Sequence, residues 1–316
     1  MTQKVARARN WQKYNEALVQ RGSITFWFDK NMLKNWHVND SLNTRGRPRK
    51  YSDMAITCGL TLKAVFKLTF RAVEGFIRSL LDQLKISAET PDYTLLCKRQ
   101  KTLTVNLPRS GIQTKEGIHI LVDTTGLKVF GEGEWKVRQH GYTKRRVWRK
   151  LHLAINRKTQ EIEAFELTDL GTQDCEGFPM LINKMDKKIE SSTGDGAYDR
   201  YNGYKLAHEK KFKLIAPPRI DGKPTRECTS QRHKKEMLEA LQKRDAVIDR
   251  IREIGRKEWK QEIGYHDRSL AETAMFRMKT LLGNKLNTRI MSHQKVETAI
   301  RCLVLNRMTS LGFGRS

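Results

Sequence analysis

Tyr265-His266-Asp267-Arg268-Ser269-Leu270-Ala271-Glu272-Thr273-Ala274-Met275-Phe276-Arg277-Met278-Lys279 is the stretch from which the chain is read outward. It holds no Gly or Pro, and Leu270, Ala274, Phe276 and Met278 suit a helix. Ser269 or Asp267 is placed to cap its start, with Glu272 in the first turn, where the helix dipole favours a carboxylate. Tyr265, Arg268, Glu272 and Lys279 are offset by 0, 3, 7 and 14 residues. At about 100° per residue they fall within one narrow stripe. Such a helix carries an aromatic ring, a guanidinium, a carboxylate and an ammonium along a single edge. Taken alone, the stripe reads equally well as a solvated face with an Arg268–Glu272 ion pair, because i,i+4 pairs are common and weak.

The charge balance narrows the choice. The chain has 316 residues, with 61 Lys+Arg against 35 Asp+Glu, a net charge of +26. So large a surplus implies an anionic partner, nucleic acid first and a membrane surface second. No apolar run reaches the roughly 18 residues of a membrane span, and MTQKVARARN lacks a signal-peptide core. The expectation is a soluble, cytoplasmic, nucleoid-associated protein. Cys58, Cys97, Cys175, Cys228 and Cys302 are scattered without a C-x-x-C, which argues for reduced thiols and against a structural zinc site.

The first 110 residues read as helical and basic, with 20 Lys and Arg against 8 Asp and Glu. Trp11, Tyr14 and Leu18 recur at helical spacing in a segment closed by Gly22. Trp27 and Trp36 read as packing residues. Arg45-Gly46-Arg47-Pro48 resembles an AT-hook, whose arginines enter a narrow A·T minor groove; an ordinary charged loop is the alternative. From a cap at Ser52 or Asp53 to about Leu84 the pattern is helical, and Phe70 to Leu81 has the spacing of a helix-turn-helix component.

Periodicity changes near residue 117. Ile118 to Val122 reads as a buried strand that ends on Asp123, and strands are predicted at Trp148–Ile155, Glu161–Leu167 and Phe212–Ala216. A helix is predicted over Phe178–Met185, and a weak strand from Lys188 leads to Asp195 between two glycines. Apolar positions between 228 and 262 predict a long, partly exposed helix or helical pair. Lys136 to Lys150 forms a basic patch that includes Arg145 and Arg146, with Trp135, His140, Tyr142 and Trp148 interleaved. Positive charge beside aromatic rings suits a DNA backbone with unpaired bases near it; a solvated hairpin is the alternative.

Asp123, Asp195 and Glu272 stand 72 and 77 residues apart. Carboxylates at two strand ends and on a following helix can converge at one edge of an α/β sheet. Three such groups repel unless cations neutralise them.

All four residues of the edge described first stand at the Y-(2)-R-(3)-E-(6)-K spacing, and the chain resembles the DDE transposases of bacterial insertion sequences, the family-five group in particular. The words Val122-Asp123-Thr124-Thr125-Gly126 and Gly194-Asp195-Gly196-Ala197-Tyr198-Asp199 match as well. The resemblance implies an α/β ribonuclease-H-like catalytic core over residues 113–316, with a helical insertion at about 220–262, preceded by a mainly α-helical DNA-binding region over 1–112. It implies Asp123, Asp195 and Glu272 as the catalytic, metal-holding triad, with Mg²⁺ as cofactor and Mn²⁺ as substitute. It also implies that Tyr265, Arg268 and Lys279 grip DNA beside the reacting phosphate; Arg45 and Arg47 of the AT-hook-like segment and Arg145 and Arg146 of the basic patch are the further DNA-binding candidates, on the charge reading given above. The implied partners are double-stranded transposon ends, target DNA and further copies of the chain, with no membrane. A nuclease without strand transfer and a non-catalytic DNA-binding regulator are the alternatives.

Overall fold

The computed structural model describes residues 10–28, 30–38, 48–107, 117–129, 148–227 and 235–312. Along the chain run α1 (Trp11–Gln20), α2 (Ile24–Trp27), α3 (Lys30–Lys34), α4 (Asp53–Val65), α5 (Phe70–Gln83) and α6 (Tyr93–Arg99). There follow β1 (Ile118–Val129), β2 (Trp148–Asn156), β3 (Ile162–Asp169), α7 (Asp174–Asn183), β4 (Ile189–Thr193), α8 (Tyr201–Glu209) and β5 (Lys213–Ile215). The last helices are α9 (Lys235–Ile254), α10 (Arg256–Glu262), α11 (Ser269–Leu282) and α12 (Met291–Ser310). The described residues divide into two compact units, one of 10–107 with 278–312 and the other of 117–128 with 148–277.

In the helical unit, short polar side chains start the helices. Asn10, Ser52, Thr69 and Asp92 each accept a hydrogen bond from the backbone N–H three residues on, satisfying a donor that has no partner within the helix. On α5 the residues Val73, Ile77 and Leu81 are buried at i, i+4 and i+8, and Trp27 and Trp36 are buried as expected. Val296, Ile300 and Val304 of α12 join the same core. The apolar face predicted for α1 is different: Trp11 is 62% exposed and only Ala17 is buried.

In the second unit the strands take the order β3-β2-β1-β4-β5. β1, β2 and β3 are antiparallel neighbours, whereas β4 runs parallel to both β1 and β5. The antiparallel strands need only short connections, and each parallel step is made through a helix, α7 or α8. Ile120, Val122, Phe178, Leu181, Phe212 and Leu214 lie in one core cluster between sheet and helices. A three-strand meander followed by parallel strands and helices is the ribonuclease-H-like α/β arrangement, and α9 and α10 form the helical insertion.

Two boundaries differ from the sequence reading. β1 does not end on Asp123 but continues to Val129, because Thr124 to Lys128 pair residue for residue with β2. α7 starts at Asp174, four residues early, because Glu176 accepts from the Gln173 backbone N–H in a capping box. Cys58, Cys97, Cys175 and Cys302 are free thiols. Among the described residues no helix is long and apolar enough to cross a membrane.

Candidate active site

Parallel pairing sets the spacing of the two aspartates. β4 stops at Thr193, opposite Leu121, so β1 carries Asp123 past the last rung of that pairing. Asp195, two residues beyond the end of β4, caps a 3-10 turn over Gly196–Tyr198 and accepts from the Ala197 N–H at 2.9 Å. Asp123 is fixed in a similar way: its Oδ1 accepts from the Thr124 N–H at 2.9 Å. Each carboxylate thereby has one oxygen engaged by a nearby backbone N–H.

The signature stretch closes on this edge. Tyr265–Arg268 forms a 3-10 turn, and α11 begins only at Ser269. The expectation of one continuous helix capped by Ser269 or Asp267 is corrected, since Ser269 already has helical angles (φ −57°, ψ −20°). Gly264 makes the entry possible with φ 63°, and a Cβ there would lie 2.9 Å from Arg157 Nη2. Arg157, in the turn after β2, donates from Nε to Oδ2 of Asp267 at 2.7 Å and so ties the signature to the meander. Ala274 and Met278 of α11 are buried, whereas Phe276 is 69% exposed.

Arg268 is the hub of the site. Its Nη1 donates to Oδ2 of Asp123 at 3.2 Å, and its Nη2 is hydrogen-bonded to Oε1 of Glu272. The Tyr265 hydroxyl donates to the Gly194 carbonyl at 3.2 Å, next to Asp195. Lys279 lies seven residues after Glu272, near the end of α11. Arg45, Arg47, Arg145 and Arg146 lie outside the described residues, as does the AT-hook-like segment up to Arg47. At the described end of the basic patch, Arg149 pairs with Asp169 at 2.5 Å and Lys150 with Asp174 at 3.2 Å. Two described cations of the patch thus pair with acids 20 and 24 residues further along the chain.

Electrostatics single out Asp123. Burial pushes its carboxyl above a carboxylate's ordinary value; Thr124 and Arg268 pull it back, while Asp195 and Glu272 push it further up. Burial likewise raises the Tyr265 hydroxyl, opposed by Arg268. For Arg268, burial lowers the affinity for its proton, but Asp123, Tyr265, Glu272 and Asp195 together outweigh that and raise it. Asp123 therefore feels both of the other carboxylates. Among the described residues no three His, Cys, Asp or Glu side chains stand close enough to hold a metal ion, and the cation between Asp123 and Glu272 is Arg268. The donor chemistry still fits a hard divalent cation: three carboxylates, with no sulfur or imidazole among them.

Sequence reading passed over His152, which lies on β2 opposite Thr124 and is wholly buried. Its available signal was a lone imidazole between Leu151 and Leu153 in a strand buried on both faces, where it needs two partners. Asp199, the last residue of the Gly194–Asp199 word, is held by Arg244 at 2.8 Å and by the Tyr204 hydroxyl at 3.2 Å.

A family model described as a transposase DDE domain matches residues 114–307, and a second with the same description matches residues 19–132. The first match spans more than half of the chain and includes β1 to β5, α11 and most of α12.

Proposed function

This chain belongs to the transposase DDE-domain family, and from that premise we propose that it binds the ends of an insertion sequence, cleaves the DNA there and joins the freed 3′-hydroxyls to target DNA. One observation carries the assignment of residues. Arg268 spans Asp123 and Glu272, while Tyr265 of the same turn reaches the backbone beside Asp195.

In this reading Asp123, Asp195 and Glu272 are the residues that would hold divalent cations, Mg²⁺ or Mn²⁺. Bound there, such ions supply ionisation of the attacking oxygen and stabilisation of the leaving one. Asp123 and Asp195 are held by backbone N–H groups, so each presents its carboxylate from a fixed position. Glu272 sits on the first turn of α11 and is exposed, the most accessible of the three. Arg268 has five N–H donors and two are engaged by the carboxylates, which leaves others to face a phosphate oxygen. Tyr265 positions the Gly194–Asp195 turn, and Lys279 adds positive charge further along α11. The net charge of +26 supports DNA as the substrate, and the helical region 1–112 supplies part of the surface that holds it. Two transposon ends must be held together for joining, so the active form is a dimer or larger assembly.

The test is a reaction of the full chain with end-containing DNA, a target duplex and Mn²⁺. Joined end–target products are expected. Their loss in each of Asp123→Asn, Asp195→Asn and Glu272→Gln, with gel-shift affinity kept within about threefold, supports the triad. Cleavage without joining moves the protein to the nuclease reading. A variant that cleaves at the wild-type rate removes its residue from the triad.

A further inference from the structure

Beneath the two aspartates lies a chain of buried polar groups that the proposed chemistry does not use. The Thr124 hydroxyl stands 2.9 Å from His152 Nδ1 and 3.2 Å from the Tyr198 hydroxyl. On its far side, His152 Nε2 stands 2.9 Å from the Thr168 hydroxyl. His152 is 0% exposed, Tyr198 2% and Thr168 7%. Burial favours the neutral imidazole, in which one ring nitrogen donates and the other accepts. The three hydrogen bonds then run head to tail, so that Thr124 and His152 in the middle each give one and take one.

Such a chain is costly to leave incomplete, since a buried donor or acceptor without a partner keeps its full desolvation penalty. An apolar set of the same shape fills the space without that risk. What the polar set adds is geometry. Thr124 is the residue whose N–H fixes Asp123, and Tyr198 closes the 3-10 turn capped by Asp195. The Thr124–Tyr198 pair thus joins the backbone at one aspartate to the turn that carries the other, and His152 holds the same Thr124 hydroxyl. The helix behind leaves room for the ring: a Cβ on Gly177 would lie 2.4 Å from His152 Nδ1.

We propose that Thr124, His152 and Tyr198 are positioning residues that fix the gap between Asp123 and Asp195 and so set how well the pair takes a divalent cation. The inference rests on the triad reading above, and its test separates the two. The probe is Mn²⁺ alone, titrated into the full chain without DNA and followed by calorimetry; end cleavage is measured in parallel. Thr124→Val and Tyr198→Phe each remove one hydroxyl and keep the shape. Thr124→Val is expected to weaken Mn²⁺ binding about tenfold and to lower kcat by a similar factor with KM for DNA unchanged, the usual range for residues that orient metal ligands. Tyr198→Phe moves both in the same direction by less. Thr124→Ser, which retains the hydroxyl, stays within about threefold of wild type. If Thr124→Val binds Mn²⁺ as tightly as wild type while Asp123→Asn does not, the positioning role is overturned and the triad stands. If Thr124→Ser is as weak as Thr124→Val, the methyl group and not the hydrogen bond matters, which also overturns it. If Asp123→Asn binds Mn²⁺ normally, the triad reading itself fails.

Discussion

Arg268 donates to Asp123 at 3.2 Å, and through this hydrogen bond a residue of the signature neutralises a carboxylate 145 positions earlier in the chain. The neutralisation is incomplete, since burial and two neighbouring carboxylates leave Asp123 above its ordinary value. An acid whose value is raised on folding binds more protons folded than unfolded. Its contribution to stability is therefore greatest below the unfolded value of about 4 and falls as pH rises through the raised one. Asp123→Asn removes that charge. It should abolish cleavage yet raise the melting temperature at pH 7 by roughly 1–3 °C, a gain that vanishes below about pH 4. Thermal melts of both proteins across pH check this, and a lower melting temperature at pH 7 contradicts it.

Removal of the metal gives a second prediction. All three proposed ligands are hard oxygens, so EDTA should stop end cleavage and Mg²⁺ or Mn²⁺ should restore it. A zinc-selective chelator should leave the rate unchanged. Cleavage that persists in EDTA rejects the proposed chemistry.

Tyr265 allows its ring and its hydroxyl to be separated. The ring packs against Trp259, with centroids 6.3 Å apart, and Lys260 Nζ lies 5.2 Å from its centre. Tyr265→Phe preserves both neighbours and removes only the bond to Gly194. The cost in stability should be within about 1 kcal/mol. Cleavage should fall about 3- to 30-fold as the Asp195 turn loosens, while Tyr265→Ala loses both stability and rate. A Tyr265→Phe enzyme with the wild-type rate shows that the hydroxyl does not position the turn.

The basic segment around residue 46 is approached through DNA sequence and salt. In the full chain, Arg45→Ala with Arg47→Ala should weaken gel-shift affinity most on A·T-rich ends if the arginines enter the minor groove. Equal weakening on all duplexes assigns them to phosphates instead. For every phosphate that the variant no longer neutralises, the plot of log affinity against log salt should flatten by about 0.9.

Features that depend on neighbours in sequence were legible before the structure. Ser52 caps α4, Trp27 and Trp36 are buried, and the strands flanking Asn156 and the helices after residue 235 fall close to where their patterns place them. What escaped depends on partners far away. Thr124 to Lys128 do not resemble a buried strand, and they extend β1 because β2 pairs with them. His152 looked like one polar residue in an apolar strand; its partners stand at 124 and 168. The 3-10 turn at Tyr265–Arg268 requires the left-handed Gly264 and the Arg157–Asp267 pair, and helical periodicity signals neither. The carboxylates themselves were found by resemblance, whereas their link through Arg268 could only be seen in three dimensions.

The core of the helical unit is built from both ends of the chain, Trp27, Ile56 and Leu62 on one side and Val296, Ile300 and Val304 on the other. During synthesis at about 5–20 residues per second, helices α2 to α6 leave the ribosome roughly 10–40 s before α12 exists to complete their core. This core is thus completed only when α12 has been made, well after its earlier helices. A nascent chain carries an uncovered apolar surface while the whole second unit is being made, and a message cut short before the codons for α12 yields a polypeptide whose earlier helices never acquire that partner.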